Sequence, residues 1–237
     1  MIPILKKNEP WPEIFPEEGF VVLINKPEDW TSFDVVNKLR RHLKIKKVGH
    51  AGTLDPFATG LLIVGVGRGT KHMQQFAGLD KQYRACLHLG VETDTYDATG
   101  TVLAEQAVGQ LMRSEIEQVL QTMLGPQMQV PPMYSAKKVN GTPLYKLARK
   151  GRTVERKAVE IVIHRVELKD WQPPLLWVEM DVSKGTYVRS FAHDLGKKLG
   201  VGAHLKELER TAIGPHRLSD AFEIEEFLQL WKTKQRQ

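Results

Sequence analysis

Apolar residues recur along this chain with two different periods, and it switches between them repeatedly. In "KQYRACLHLG" every second residue faces the same way: Tyr83, Ala85, Leu87 and Leu89 on one side, Arg84, Cys86 and His88 on the other. That alternation marks a half-buried strand. "LLWVEMDVS" repeats it with Leu176, Val178, Met180 and Val182. "SEIEQVLQTML" instead carries Ile116, Val119, Leu120, Met123 and Leu124 as one helical stripe, with Ser114 and Glu117 at capping-box spacing. Helical stripes return at Val36, Leu39 and Leu43 behind a Thr31 or Ser32 cap. Two more run through Val188, Phe191, Ala192, Leu195 and Leu199, and through Ile224, Phe227, Leu228 and Trp231 ahead of the basic tail "KTKQRQ". "GFVVLINKP", "TGLLIVGVG" and "VEIVIHRVEL" read as further strands. Such intermixing, with hairpin-like spacing early and late, predicts an α+β domain rather than a doubly wound parallel sheet.

Several classes of protein fall away. The longest uncharged apolar stretch, Ala58 to Gly67, has about half the length a membrane helix needs, and the first residues hold no apolar signal core. One cysteine, Cys86, excludes an internal disulfide and a zinc site of several thiolates, and fits a reducing, cytoplasmic setting. No membrane partner is expected. "GVGRGTK" has the order Gly69-Thr70-Lys71, where a phosphate loop needs Gly-Lys-Ser/Thr. His193 and Asp194 are adjacent and point apart on a helix, so they make a poor metal pair. The net charge of +6 favours an acidic partner such as nucleic acid. A basic cluster lies between Gly125 and Arg156, a proline-rich stretch with Lys137, Lys138, Arg149, Lys150 and Arg152, which reads as an arm. A second basic cluster, Lys44, Lys46 and Lys47, precedes "GHAGTLDPFATG".

That last motif sets one carboxylate, Asp55, in a glycine-rich turn stiffened by Pro56. Tyr83 and Arg189 are the other candidates for chemistry. Singly, each has a structural explanation: a turn cap, a half-buried core aromatic, a surface ion pair.

"GHAGTLDPFATGLLIVGVGRGTK" closely resembles the signature of the TruB family, the bacterial tRNA pseudouridine-55 synthases. The likeness continues through "NKPEDWTS", "DKQYRACLHLGVETDTYDATG", "VPPMYSAKKVNGTPLYKLARKG", "VSKGTYVRS" and "GVGAHLKELERTAIG". It implies a pseudouridine synthase fold, a mixed, largely antiparallel sheet with flanking helices, over residues 19–214. Residues 1–18 would be an N-terminal extension, and the arm at about 125–156 a thumb-like insertion over the T-arm of tRNA. Residues 215–237 would be a short helix and basic tail, with the family's PUA-type C-terminal domain absent or vestigial. The resemblance makes Asp55, Tyr83 and Arg189 catalytic and puts His50, Tyr187 and Leu208 on the RNA. Lys44, Lys46, Lys47, Lys137, Lys138, Arg149, Lys150 and Arg152 would grip its backbone. The implied isomerisation involves no net redox change, so neither cofactor nor metal is expected, nor an obligate protein partner. Asp29 stands where the family usually has glycine. A different RNA target, or an RNA-folding chaperone with incidental catalysis, are the alternatives.

Overall fold

A computed structural model describes residues 2–11, 19–135, 137–139, 141–148 and 154–234. In chain order these form β1 (Ile4–Leu5), β2 (Gly19–Lys26), α1 (Ser32–Leu43), β3 (Val48–Ala51), β4 (Thr59–Gly67), α2 (Met73–Ala77), β5 (Lys81–Leu89), β6 (Val91–Thr93) and β7 (Val102–Glu105). There follow α3 (Arg113–Gln121), β8 (Gly125–Gln129), β9 (Lys138–Val139), β10 (Thr142–Pro143), α4 (Leu144–Ala148), β11 (Val159–Gln172) and β12 (Leu175–Val182). The last elements are α5 (Val188–Lys198), β13 (Ala203–Ile213), β14 (His216–Arg217) and α6 (Ile224–Lys234). The protein is α+β. It divides into two compact units, Met1–Tyr83 with Glu209–Gln237, and Arg84–Leu208, so the divisions fall inside β5 and β13.

In the first unit β2 lies antiparallel to β4, from Gly19 opposite Gly67 to Lys26 opposite Gly60. On the other edge of β4, β3 pairs antiparallel and the end of β13 pairs parallel, Arg210 opposite Gly60. β2 reads as a continuous apolar run because both its faces are covered. Phe20, Val22 and Ile24 pack with α1 and α6, while Val21 and Leu23 pack with Met73 and Phe76 of α2. α1 buries Val35, Val36, Leu39 and Leu43, each worth roughly 1.5–3 kcal/mol of transfer free energy. Of the two candidate caps, Thr31 is the one used. Its Oγ1 accepts from Asp34 N at 3.1 Å, and Asp34 Oδ2 accepts from Thr31 N at 2.9 Å. Lys44, with φ 57°, ends the helix in the left-handed region.

In the second unit β12 and β8 flank β11, both antiparallel to it. Residues 125–129, which the sequence placed at the start of the arm, are therefore an edge strand, where Pro126 can omit its N–H at little cost. Beyond them the described part of the basic stretch holds the short pair β9–β10 and α4. α3 begins at Arg113, so Ser114 is already helical and the Ser114–Glu117 box does not form. Glu115 caps instead, its Oε2 accepting from Met112 N at 2.7 Å. Met123 and Leu124 lie past the helix end at Gln121. Cys86 is buried, and burial pushes its thiol up to about 11. Among the described residues no helix is long and apolar enough to cross a membrane.

Candidate active site

Asp55 sits half-buried in a turn between β3 and β4. Ala58 N donates to Asp55 O at 3.1 Å, closing a turn with Pro56 in its second position, where the ring pre-sets φ. Side chains from three directions fix the flanks of this turn. Ser32 Oγ, from the first residue of α1, accepts from Leu54 N at 2.9 Å and donates to Leu54 O at 3.3 Å. Lys26, at the end of β2, donates from Nζ to Pro56 O at 3.1 Å, and also to Pro27 O at 2.7 Å and Trp30 O at 2.6 Å. Arg210, on β13, donates from Nη2 to Gly52 O at 3.0 Å and from Nε to Leu61 O at 2.8 Å. The residue is pinned before, after and beneath.

Lys26 and Arg210 are almost wholly out of solvent. Burial lowers the Lys26 ammonium to about 8, while the nearby Asp55 carboxylate favours its charged form. Burial also pushes the Arg210 guanidinium below its ordinary value, opposed by the nearby Tyr83. His50, on β3, has a buried Nδ1 with no hydrogen-bond partner among the described residues. Burial first, then the Arg210 charge, holds its imidazole below the usual value.

The glycines of the motif serve the protein's own backbone. Gly52 adopts φ 79°, which only glycine takes freely. At Gly60 a Cβ would meet Arg210 O at 2.4 Å, so the absent side chain lets β13 approach β4. The two glycines thus answer to the backbone itself, Gly52 through its left-handed φ and Gly60 through the close approach of β13.

Arg189, Tyr187 and Leu208 belong to the second unit. Arg189 is buried near the start of α5. Its Nη1 pairs with Asp97 Oδ2 at 3.2 Å and reaches Thr95 O at 3.3 Å, and Nη2 donates to Tyr134 O at 2.7 Å. The Asp97 carboxylate is held in turn by Thr95 Oγ1 at 2.8 Å, Thr99 N at 3.0 Å and Thr99 Oγ1 at 2.6 Å. Tyr187 precedes α5, its N–H and carbonyl held by the side-chain amide of Gln129 at 2.8 and 3.1 Å. Leu208 is buried.

Lys44, Lys46 and Lys47 are exposed. Lys137 donates to Lys157 O at 3.2 Å, and Lys138 lies in β9. Arg149, Lys150 and Arg152 lie outside the described residues. The sequence reading missed Lys26, Ser32, Arg210 and Asp97. For Lys26 and Ser32 a signal existed, a lysine closing an apolar strand and a serine opening a helix.

Comparison with known proteins gives the same direction. Residues 40–188 match a family described as TruB family pseudouridylate synthase (N terminal domain), and 189–237 one described as tRNA pseudouridylate synthase B C-terminal domain. A tRNA pseudouridine synthase B of Chlorobium luteolum is 47% identical over 216 residues, 89% of this chain and 75% of that protein. One of Symbiobacterium thermophilum is 49% identical over 209 residues, 87% of this chain and 70% of the other. A chain of a Cbf5-Nop10-Gar1 complex superposes with a TM-score of 0.74 at 26% identity, covering 98% of this chain and 61% of that one. An H/ACA RNP bound to a substrate RNA containing 2'-deoxyuridine gives 0.70 at 25% identity, covering 92% and 55%. The chain thus spans under two thirds of those two structural relatives.

Proposed function

Because this chain belongs to the TruB family of pseudouridylate synthases, we propose that it converts a uridine in the T-loop of tRNA to pseudouridine in the cytoplasm. The observation that carries the reading is the Asp55 turn, fixed by Ser32, Lys26 and Arg210 from three separate elements. A turn whose backbone is fixed by side chains from three elements presents its carboxylate already positioned for a reacting group.

The reaction breaks the C1′–N1 bond, rotates the base and forms C1′–C5, with the C5 proton lost and N1 left protonated. Asp55 is the nucleophile, attacking the base or the sugar of the extruded nucleotide. Lys26 and Arg210 put positive charge behind its turn, an environment in which an anion is favoured. Tyr83 offers a ring face to the flipped base and a hydroxyl to relay the proton from carbon. Arg189 is the active-site cation, its planar fork oriented by Asp97. His50, Tyr187 and Leu208 contact the RNA, with His50 neutral and able to fill space the base leaves. The basic side chains of residues 44–47 and of the thumb-like stretch grip phosphates.

The test is pseudouridine formation on an unmodified T-arm hairpin by wild type and Asp55→Asn. Wild type is expected to convert the T-loop uridine. The Asn variant is expected to bind the hairpin comparably and convert it at least ~10³-fold more slowly. A variant as fast as wild type, or a wild type that binds without converting, overturns the reading.

A further inference from the structure

Resting on that RNA reading, we infer that the outward flank of α1 is a second RNA contact. It takes the strand adjoining the target nucleotide through one stacked base and the phosphates beside it. Phe33, Asn37, Arg40 and Lys44 follow one another at helical spacing and share this flank. Phe33 is 57% exposed, although it lies in the first turn of a helix whose other apolar side chains are buried. The Arg40 guanidinium lies 5.8 Å from its ring centroid. Arg40 is itself anchored, donating from Nη1 to Asn37 Oδ1 at 2.8 Å and from Nη2 to Val48 O at 3.3 Å. The pair is a fixed aromatic and cationic platform. Past it, Arg40, Arg41, Lys44, Ile45 and Lys46 line a recess of about 470 Å³ without a carboxylate.

The charge fits a polyanion, and the single aromatic fits an unstacked base. A protein partner would meet one apolar side chain set among cations, since every other exposed residue of α1 is polar or charged. The adjoining recess shares Asn37 and Arg41 with this flank but also carries Asp29 and Asp34, so the surface inferred for RNA is the one that runs from Phe33 along Arg40 to Lys44 and Lys46. Lys38 is excluded, because Glu225 engages it at 2.7 Å.

Position ties the platform to the reaction. Ser32, bonded to Leu54 beside Asp55, is the residue before Phe33. Lys44 lies eleven residues on, about 16 Å at ~1.5 Å per residue. By strand alternation His50 shares the side of β3 on which Val48 packs with α1. A nucleotide held at Asp55 therefore has neighbours within reach of this track.

Binding of the T-arm hairpin is measured across salt concentrations in an Asp55→Asn background, so that no turnover intervenes. Phe33→Ala is expected to weaken binding by about fivefold or more, and Phe33→Tyr to restore it. Arg41→Ala with Lys44→Ala is expected to flatten the log Kd against log salt slope by about 1.4. A charge-matched control, Lys232→Ala with Lys234→Ala, is expected to do neither. Unchanged affinity and slope in the α1 variants, or a Tyr variant as weak as Ala, overturns the inference. Conversion by wild type is scored separately. If it fails while the α1 variants still lose RNA affinity, the surface stands and the assigned reaction falls.

Discussion

Lys26 ends β2 with its side chain out of water and each of its three ammonium protons given to a backbone carbonyl. Deprotonation leaves only two donors, so one carbonyl, with Pro56 O the longest of the three contacts, loses its partner. The charge behind Asp55 disappears in the same step. With the ammonium lowered to about 8 by burial, turnover is expected to fall as pH rises through that value. Lys26→Met should be slower at neutral pH and lack this limb; a pH–rate profile of both proteins checks it. Stability moves the other way. The folded pKa is depressed, so the unfolded chain binds more protons between about 8 and its ordinary 10.5. Unfolding free energy should therefore rise across that window, by up to about 3 kcal/mol.

At the scale of elements, adjacent residues at the start of α1 do different work. Thr31 only caps the helix, whereas Ser32 satisfies both backbone groups of buried Leu54. Thr31→Ala is expected to cost ~1 kcal/mol with little change in kcat. Ser32→Ala strands a buried N–H and carbonyl, costing about 1–3 kcal/mol, and should lower kcat because the turn it pins carries Asp55. Thermal melts and steady-state kinetics on both variants separate the two roles. Elements such as these were largely legible in the sequence, because period and capping are local. α3 slipped by two residues at its start, from a Ser114–Glu117 box to a Met112–Glu115 one, because Ser114 and Glu115 each offer a cap and the chain uses the glutamate. β8 was hidden by its Pro126, which edge pairing tolerates. At the site, Asp55, Tyr83 and Arg189 stood out by residue type and by likeness to a family. Arg210 did not, since its partners Gly52 and Leu61 lie some 150 residues earlier and only folding brings them together.

For the molecule as a whole, burial shapes the response to acid. His50, His88, His193 and His216 are all held below the ordinary imidazole value, burial being the first cause in each. Below about pH 6.5 the unfolded chain takes up protons that the folded one refuses, so stability falls with falling pH. The melting temperature is expected to drop from about pH 7 to about pH 5, and His216→Phe, which keeps the ring beside Phe76, should make the drop shallower. Calorimetry across that range checks both. Buried Cys86 answers to the same physics with a practical result. A thiol pushed to about 11 and 2% exposed offers almost no thiolate to an alkylating reagent at neutral pH. The native chain is thus chemically silent to maleimides, and one cysteine introduced on its surface would be labelled alone, giving a fluorescent or spin reporter at a chosen point with no background to remove.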